Sequence, residues 1–94
     1  KTIILDLSGC KNLWDIHNRI KKAFGFPDWY GENWDAFYDS LSRDCDVNHV
    51  IVRGEHTIPI EYKDHMVKMH SVLDDTIKFC KSCGFDSFSY EIES

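Results

Sequence analysis

Two prolines and five glycines in 94 residues leave no linker, repeat or low-complexity tract, and the chain reads as one domain. No apolar run approaches the roughly 18 residues needed to span a bilayer. No cationic segment leads into an apolar core as in a signal peptide, so a cytoplasmic location is expected. Cations are the scarcer charge, 11 Lys and Arg against 16 Asp and Glu, a net charge of −5. That balance argues against binding nucleic-acid phosphates, which takes a basic patch, and suits a basic protein partner.

The four cysteines (Cys10, Cys45, Cys80, Cys83) do not resemble a secreted disulfide scaffold in a domain able to build its own core. Free thiols are expected. Cys80 and Cys83 have the CxxC spacing, but at the end of a helix rather than at the N-terminus that would lower a thiolate pKa. Cys10 and Cys45 stand too isolated to complete a zinc set. The five histidines (His17, His49, His56, His65, His70) lack metal-ligand spacing, so each reads as a surface or core residue. There is no Gly-rich phosphate loop and no nucleophile beside a base. No cofactor, metal or catalytic residue is expected.

What the chain does have is concentrated in residues 26–41, FPDWYGENWDAFYDSL, with two Trp, two Tyr, two Phe and four carboxylates. No Lys or Arg occurs between Lys22 and Arg43. Pro27 and Gly31 punctuate a loop, and Asn33 is a good N-cap for a helix starting near Trp34. At about 100° per residue, Trp34, Phe37 and Leu41 share an apolar stripe. Asp35, Asp39 and Ser42 form an adjacent polar stripe, with Tyr38 on the border. Carboxylates near a helix N-terminus gain about 0.3–1 kcal/mol from the macrodipole, which accounts for Glu32 and Asp35 without any function. Asp39 lies beyond the first turn and repels Asp35 at i,i+4, so that account does not cover it. Aromatics beside acids give the composition of a binding surface.

The rest of the chain frames this stretch. Thr2 to Leu7 reads as a strand, and the continuous Ile3-Ile4-Leu5 run predicts burial on both faces and a central place. Asn12 caps a helix with the stripe Leu13, Ile16, Ile20 and Phe24, stopped by Gly25. Arg43 to Asn48 is a polar connector whose acids Asp44 and Asp46 extend the negative region. His49 to Arg53 is a second strand. Pro59 opens a helical region with the stripe Met66, Met69, Val72 or Leu73, Thr76 or Ile77, and Cys80; its first turn could be separate or continuous with the rest. Phe85 to Glu93 alternates as an edge or half-exposed strand, with Phe88, Tyr90 and Ile92 on one face. The fold class is α/β: one small domain, in two or three layers, with a three-stranded parallel sheet and three to four helices.

Residues 27–41, and above all Tyr30-Gly31-Glu32-Asn33 followed by Asp35-Ala36 and Asp39, resemble the loop and second helix of the barstar family. Its members are intracellular protein inhibitors of secreted bacterial ribonucleases. Chain length and element order are similar too. The resemblance implies a barstar-like fold and no catalysis. It also implies a 1:1 complex in which an acidic helix and an aromatic loop stand in for substrate phosphates in a basic cleft. It carries partner contact onto Trp29, Asn33, Asp35, Tyr38 and Asp39, with Gly31 shaping the loop. Ser42 completes the polar stripe, and Arg43 and Asp44 occupy the next contact positions, where the family prototype has Gly-Trp. An acid on the family's long helix falls on Phe79 when the helix-ending glycines are aligned.

Two other readings stay open. One is a barstar-related immunity or interaction domain for a different toxin or a non-nuclease partner, since fold alone does not set function. The other is an enzyme using Asp35 and Asp39 as an acid/base or metal pair, against which no further ligand or nucleophile stands nearby.

Overall fold

The computed structural model describes residues 1–43, 47–84 and 88–93. In chain order they form β1 (Thr2–Asp6), α1 (Leu13–Phe24), α2 (Trp34–Arg43), β2 (His49–Arg53), α3 (Lys63–Ser82) and β3 (Ser89–Glu93). Two 3-10 turns, Glu55–Thr57 and Ile60–Tyr62, lead from β2 into α3, and the second runs directly into the helix. None of these helices is long and apolar enough to cross a membrane.

Side chains set the ends of α1. The Asn12 carboxamide accepts from the Asp15 amide at 2.8 Å, and the Asp15 carboxylate accepts from the Lys11 amide at 3.0 Å, so two otherwise orphaned donors are satisfied reciprocally. At the other end Gly25 takes φ 73, which lets its amide and that of Phe26 turn back onto the Lys21 carbonyl.

All three strands are parallel, in the order β1-β2-β3. The central strand is therefore β2; the expectation for β1 fails because its apolar run does not mean burial on both sides. Ile3, Val50 and Tyr90 are in register on the face that meets the helices, as are Leu5, Val52 and Ile92. Ile4 points the other way, pairs with Ile51 and stays 46% exposed. That second face is open and polar. Arg53 bonds Glu93 across the strands at 2.7 Å, and His49 contacts Ser89 at 2.7 Å and Glu91 at 3.2 Å. The architecture is thus two layers, helices over one face of the sheet.

Between the layers lie Leu5, Leu7, Ile16, Ile20, Phe37, Val50, Val52, Met69 and Leu73, all without solvent contact. The predicted stripes of α1, α2 and α3 supply most of them. Strand β3 begins at Ser89, so the first three residues of the predicted strand (85–87) lie outside the described ones. Its apolar face also fades along its length, from buried Phe88 to Ile92 at 42% exposure. The described cysteines Cys10, Cys80 and Cys83 are free thiols.

Where β2 ends, Gly54 adopts φ +76 and its α-carbon faces the chain leaving β1. A Cβ there would stand 2.7 Å from the Ser8 amide nitrogen. The left-handed conformation alone costs a side-chain-bearing residue about 1–3 kcal/mol. Gly54→Ala is expected to exceed that range in urea denaturation, since backbone at the end of a neighbouring strand cannot give way.

Candidate partner-binding site

The loop before α2 is held from below and bare on top. Phe26 stacks on Phe24 with ring centroids 5.2 Å apart, and the Tyr30 amide donates to the Pro27 carbonyl at 3.0 Å. Tyr30 is buried, and its hydroxyl shares a hydrogen bond of 3.0 Å with His17 Nδ1. Burial first, and the Glu32 charge second, push the Tyr30 phenol upward, so it stays protonated. Trp29, its neighbour, is 82% exposed.

Asn33 caps α2 as its sequence predicts: its Oδ1 accepts from the Ala36 amide at 2.7 Å, and its Nδ2 donates to the Gly31 carbonyl at 3.2 Å. Gly31 shapes the loop by closeness rather than by unusual torsion. A Cβ on it would come within 3.1 Å of the Ala36 Cβ, while the left-handed position is taken by Glu32 at φ 53. One residue thus ties the loop to the helix whose carboxylates follow.

On α2, Phe37 and Leu41 are buried and Trp34 and Tyr38 half-buried, whereas Asp35 and Asp39 face outward. Ser42, half-buried beside them, donates its hydroxyl back to the Tyr38 carbonyl at 2.8 Å. Arg43 Nη2 approaches Asp39 Oδ2 to 3.7 Å, with both side chains well exposed. An exposed i,i+4 pair of this kind is worth a few tenths of a kcal/mol, too little to occupy the carboxylate against a competing cation. Asp44 and Asp46 lie outside the described residues.

Helix α3 packs beside α2, and the two enclose a groove of about 450 Å³ lined by Trp34, Asp35, Ala36, Tyr38, Asp39, Val72 and Asp75. Among the described residues, three carboxylates and no cation line it. Asp75 is the residue that sequence reasoning missed. Alignment on the helix-ending glycine singles out Phe79, a half-buried residue that is not among the groove's lining. The apolar stripe of α3 was the better guide, since Asp75 follows Val72 by three residues and precedes buried Thr76. A second groove, of about 510 Å³, opens on the other side of Trp34 between Asn33, Asp35, Val67, Lys68, Ser71 and Val72.

Behind the grooves lies a row of aromatic and imidazole rings. Trp34 sits 4.5 Å from the His17 ring, and its indole Nε1 donates to His65 Nδ1 at 3.0 Å. His17 is 1% exposed, and its Nε2 has no partner among the described residues. Burial, with the nearby His65 adding to it, lowers the His17 pKa from 6.5 to about 4. That imidazole is neutral at neutral pH and belongs to the core.

Comparison with known proteins places the chain in a family. Residues 1–89 match the family model described as Barstar (barnase inhibitor). Over 42 residues the chain is 38% identical to the Bacillus subtilis (strain 168) protein named "Putative ribonuclease inhibitor YrdF", a match spanning 45% of this chain and 46% of that protein. The chain thus spans about half the length of the curated relative it matches. Since the family model covers nearly the whole domain and the fold is the α/β architecture expected of it, the chain belongs to the barstar family of ribonuclease inhibitors.

Proposed function

We propose that this chain inhibits a basic bacterial ribonuclease by setting the α2 face and the loop before it into the enzyme's active-site cleft, in a 1:1 complex and without catalysis of its own. The observation that carries this reading is the groove in which Asp35, Asp39 and Asp75 converge above an apolar floor with no cation in its lining. A ribonuclease cleft must attract phosphates, so it is lined with Arg, Lys and His and focuses positive potential. Carboxylates on a rigid helix can occupy the phosphate positions through charge-assisted hydrogen bonds. Trp29 and Tyr38 then exclude water around those pairs and strengthen them. Asn33 and Gly31 keep the loop at the height of the helix. Attraction between acidic face and basic cleft also speeds encounter, so association is expected to slow as salt rises.

Arg43 is the residue that works against the interface. It carries a positive charge beside a surface built to meet cations, and it leans on Asp39. Arg43→Gln should therefore tighten binding a few-fold, mainly through faster association at low salt. Stopped-flow association at two salt concentrations measures it; a slower rate would place Arg43 against an acidic rim of the partner, and an unchanged one would take its charge out of the encounter.

The reading is tested by immobilising the chain, capturing basic proteins from the secretome of its host, and assaying what is retained for RNA cleavage with and without added chain. A retained nuclease that the free chain inhibits supports it. Retention only of proteins without RNA-cleaving activity would favour an immunity or interaction domain for another toxin or a non-nuclease partner.

A further inference from the structure

We propose that His65 is a positioning residue for the partner-facing surface: its neutral imidazole holds the Trp34 indole in the wall between the two grooves, and uptake of a proton releases that wall. Trp34, Asp35 and Val72 line both grooves, so the orientation of one indole shapes the two cavities together. The indole N–H is donated to His65 Nδ1 at 3.0 Å, and a ring nitrogen that accepts carries no proton. The hydrogen of the neutral ring is then on Nε2. Protonation puts a second donor on Nδ1, opposite the indole N–H, and the bond becomes a repulsion.

A charge on His65 would face groups from α1, α2, α3 and the 3-10 turn before it. From α1 comes His17, buried and uncharged, so it cannot balance the new charge. From the 3-10 turn come Tyr62, with its ring centroid 6.2 Å away, and the carboxylate-bearing Glu61, four residues before His65. From α2 comes Trp34 itself, with Asp35 next in sequence. On α3, Asp64 precedes His65, and Lys68, one turn on, adds a positive charge in the second groove. Among the described residues no carboxylate is hydrogen-bonded to His65. A loosened wall is thus the consequence of His65 gaining a proton. For a bound ribonuclease this means release as pH falls, a consequence that rests on the function proposed above; the coupling of His65 to Trp34 does not.

The experiment uses the free chain. In ¹⁵N-labelled protein the Trp34 indole resonance is identified by its loss in Trp34→Phe, and the protein is titrated from pH 8 to 5.5. The expected result is that this resonance and the Asp35 and Val72 amides move together, with the midpoint of the His65 ring protons. His65→Asn presents an oxygen where Nδ1 was but cannot titrate. It should keep the indole shift of the wild type at pH 8 and lose the pH response. An indole resonance indifferent to the His65 titration would overturn the proposal, as would an equal pH response in His65→Asn, which would assign it to another group. Because no partner is present, either result leaves the ribonuclease reading to its own test.

Discussion

Asp39→Ala should weaken binding of the captured ribonuclease by at least about 2 kcal/mol, the general cost of truncating one partner of a buried interfacial charge pair, for which the barnase complex of this family is itself a worked example. Much of that cost is the enzyme's own cation left desolvated and unpaired, so the loss should appear chiefly in the dissociation rate. Asp39 stands on an exposed face of α2 with only a loose contact to Arg43, so its removal should leave the urea midpoint of the free chain nearly unchanged. Asp35→Ala and Asp75→Ala should each cost less. If the three carboxylates grip one cationic cluster, their pairwise double variants will be non-additive. Calorimetry of the complex decides the matter: an affinity unaltered by Asp39→Ala would remove the acidic groove from the interface.

The second large effect is on stability. The His17 pKa falls from 6.5 to about 4 on folding, because burial disfavours the imidazolium. The unfolded chain takes up a proton first, as pH drops through the ordinary imidazole range, while the folded protein does not. The neutral group's contribution is therefore complete above that range, is lost progressively as pH falls, and has gone by the folded pKa. Between pH 7.5 and 4.5 the expected loss is roughly 2.5 kcal/mol, a quarter or more of the stability of an ordinary small domain. Urea denaturation at the two pH values measures the sum over all groups, and His17→Gln isolates this one by removing its share. A folded-state NMR titration of the His17 ring with a midpoint near 6.5 would refute the prediction outright. Protonation would also put a buried charge beside the Tyr30 hydroxyl, which anchors the loop below Trp29, so that loop is expected to loosen before the sheet does.

The elements themselves were legible because their signals are local. Asn12 and Asn33 cap the helices they precede, Gly25 ends the first, and the 3.6-residue stripes of α1 and α3 name most of the buried residues, although Leu13 and Cys80 are only half-buried and buried His17 was not among them. The exposed aspartates of α2 followed from the same wheel. The order of strands did not, because Ile3-Ile4-Leu5 has the composition of a strand covered on both sides while Ile4 lies on an open face beside Ile51. The Ser42 hydroxyl donates to the preceding turn, a contact that periodicity cannot see.

By itself, then, the amino-acid sequence determined which segments coil, which extend, where they stop, and that one helix would carry acids beside aromatics on its outward side. It could do so because caps, turns and amphipathic periods act over a few residues. Only the tertiary structure decided that Asp75 joins Asp35 and Asp39, that His17 is sealed behind Tyr30, and that Trp34 hangs on His65. Those meetings depend on how α1 and α3 pack against α2. Packing is set by the shape of the whole core, and no local stretch of chain carries it.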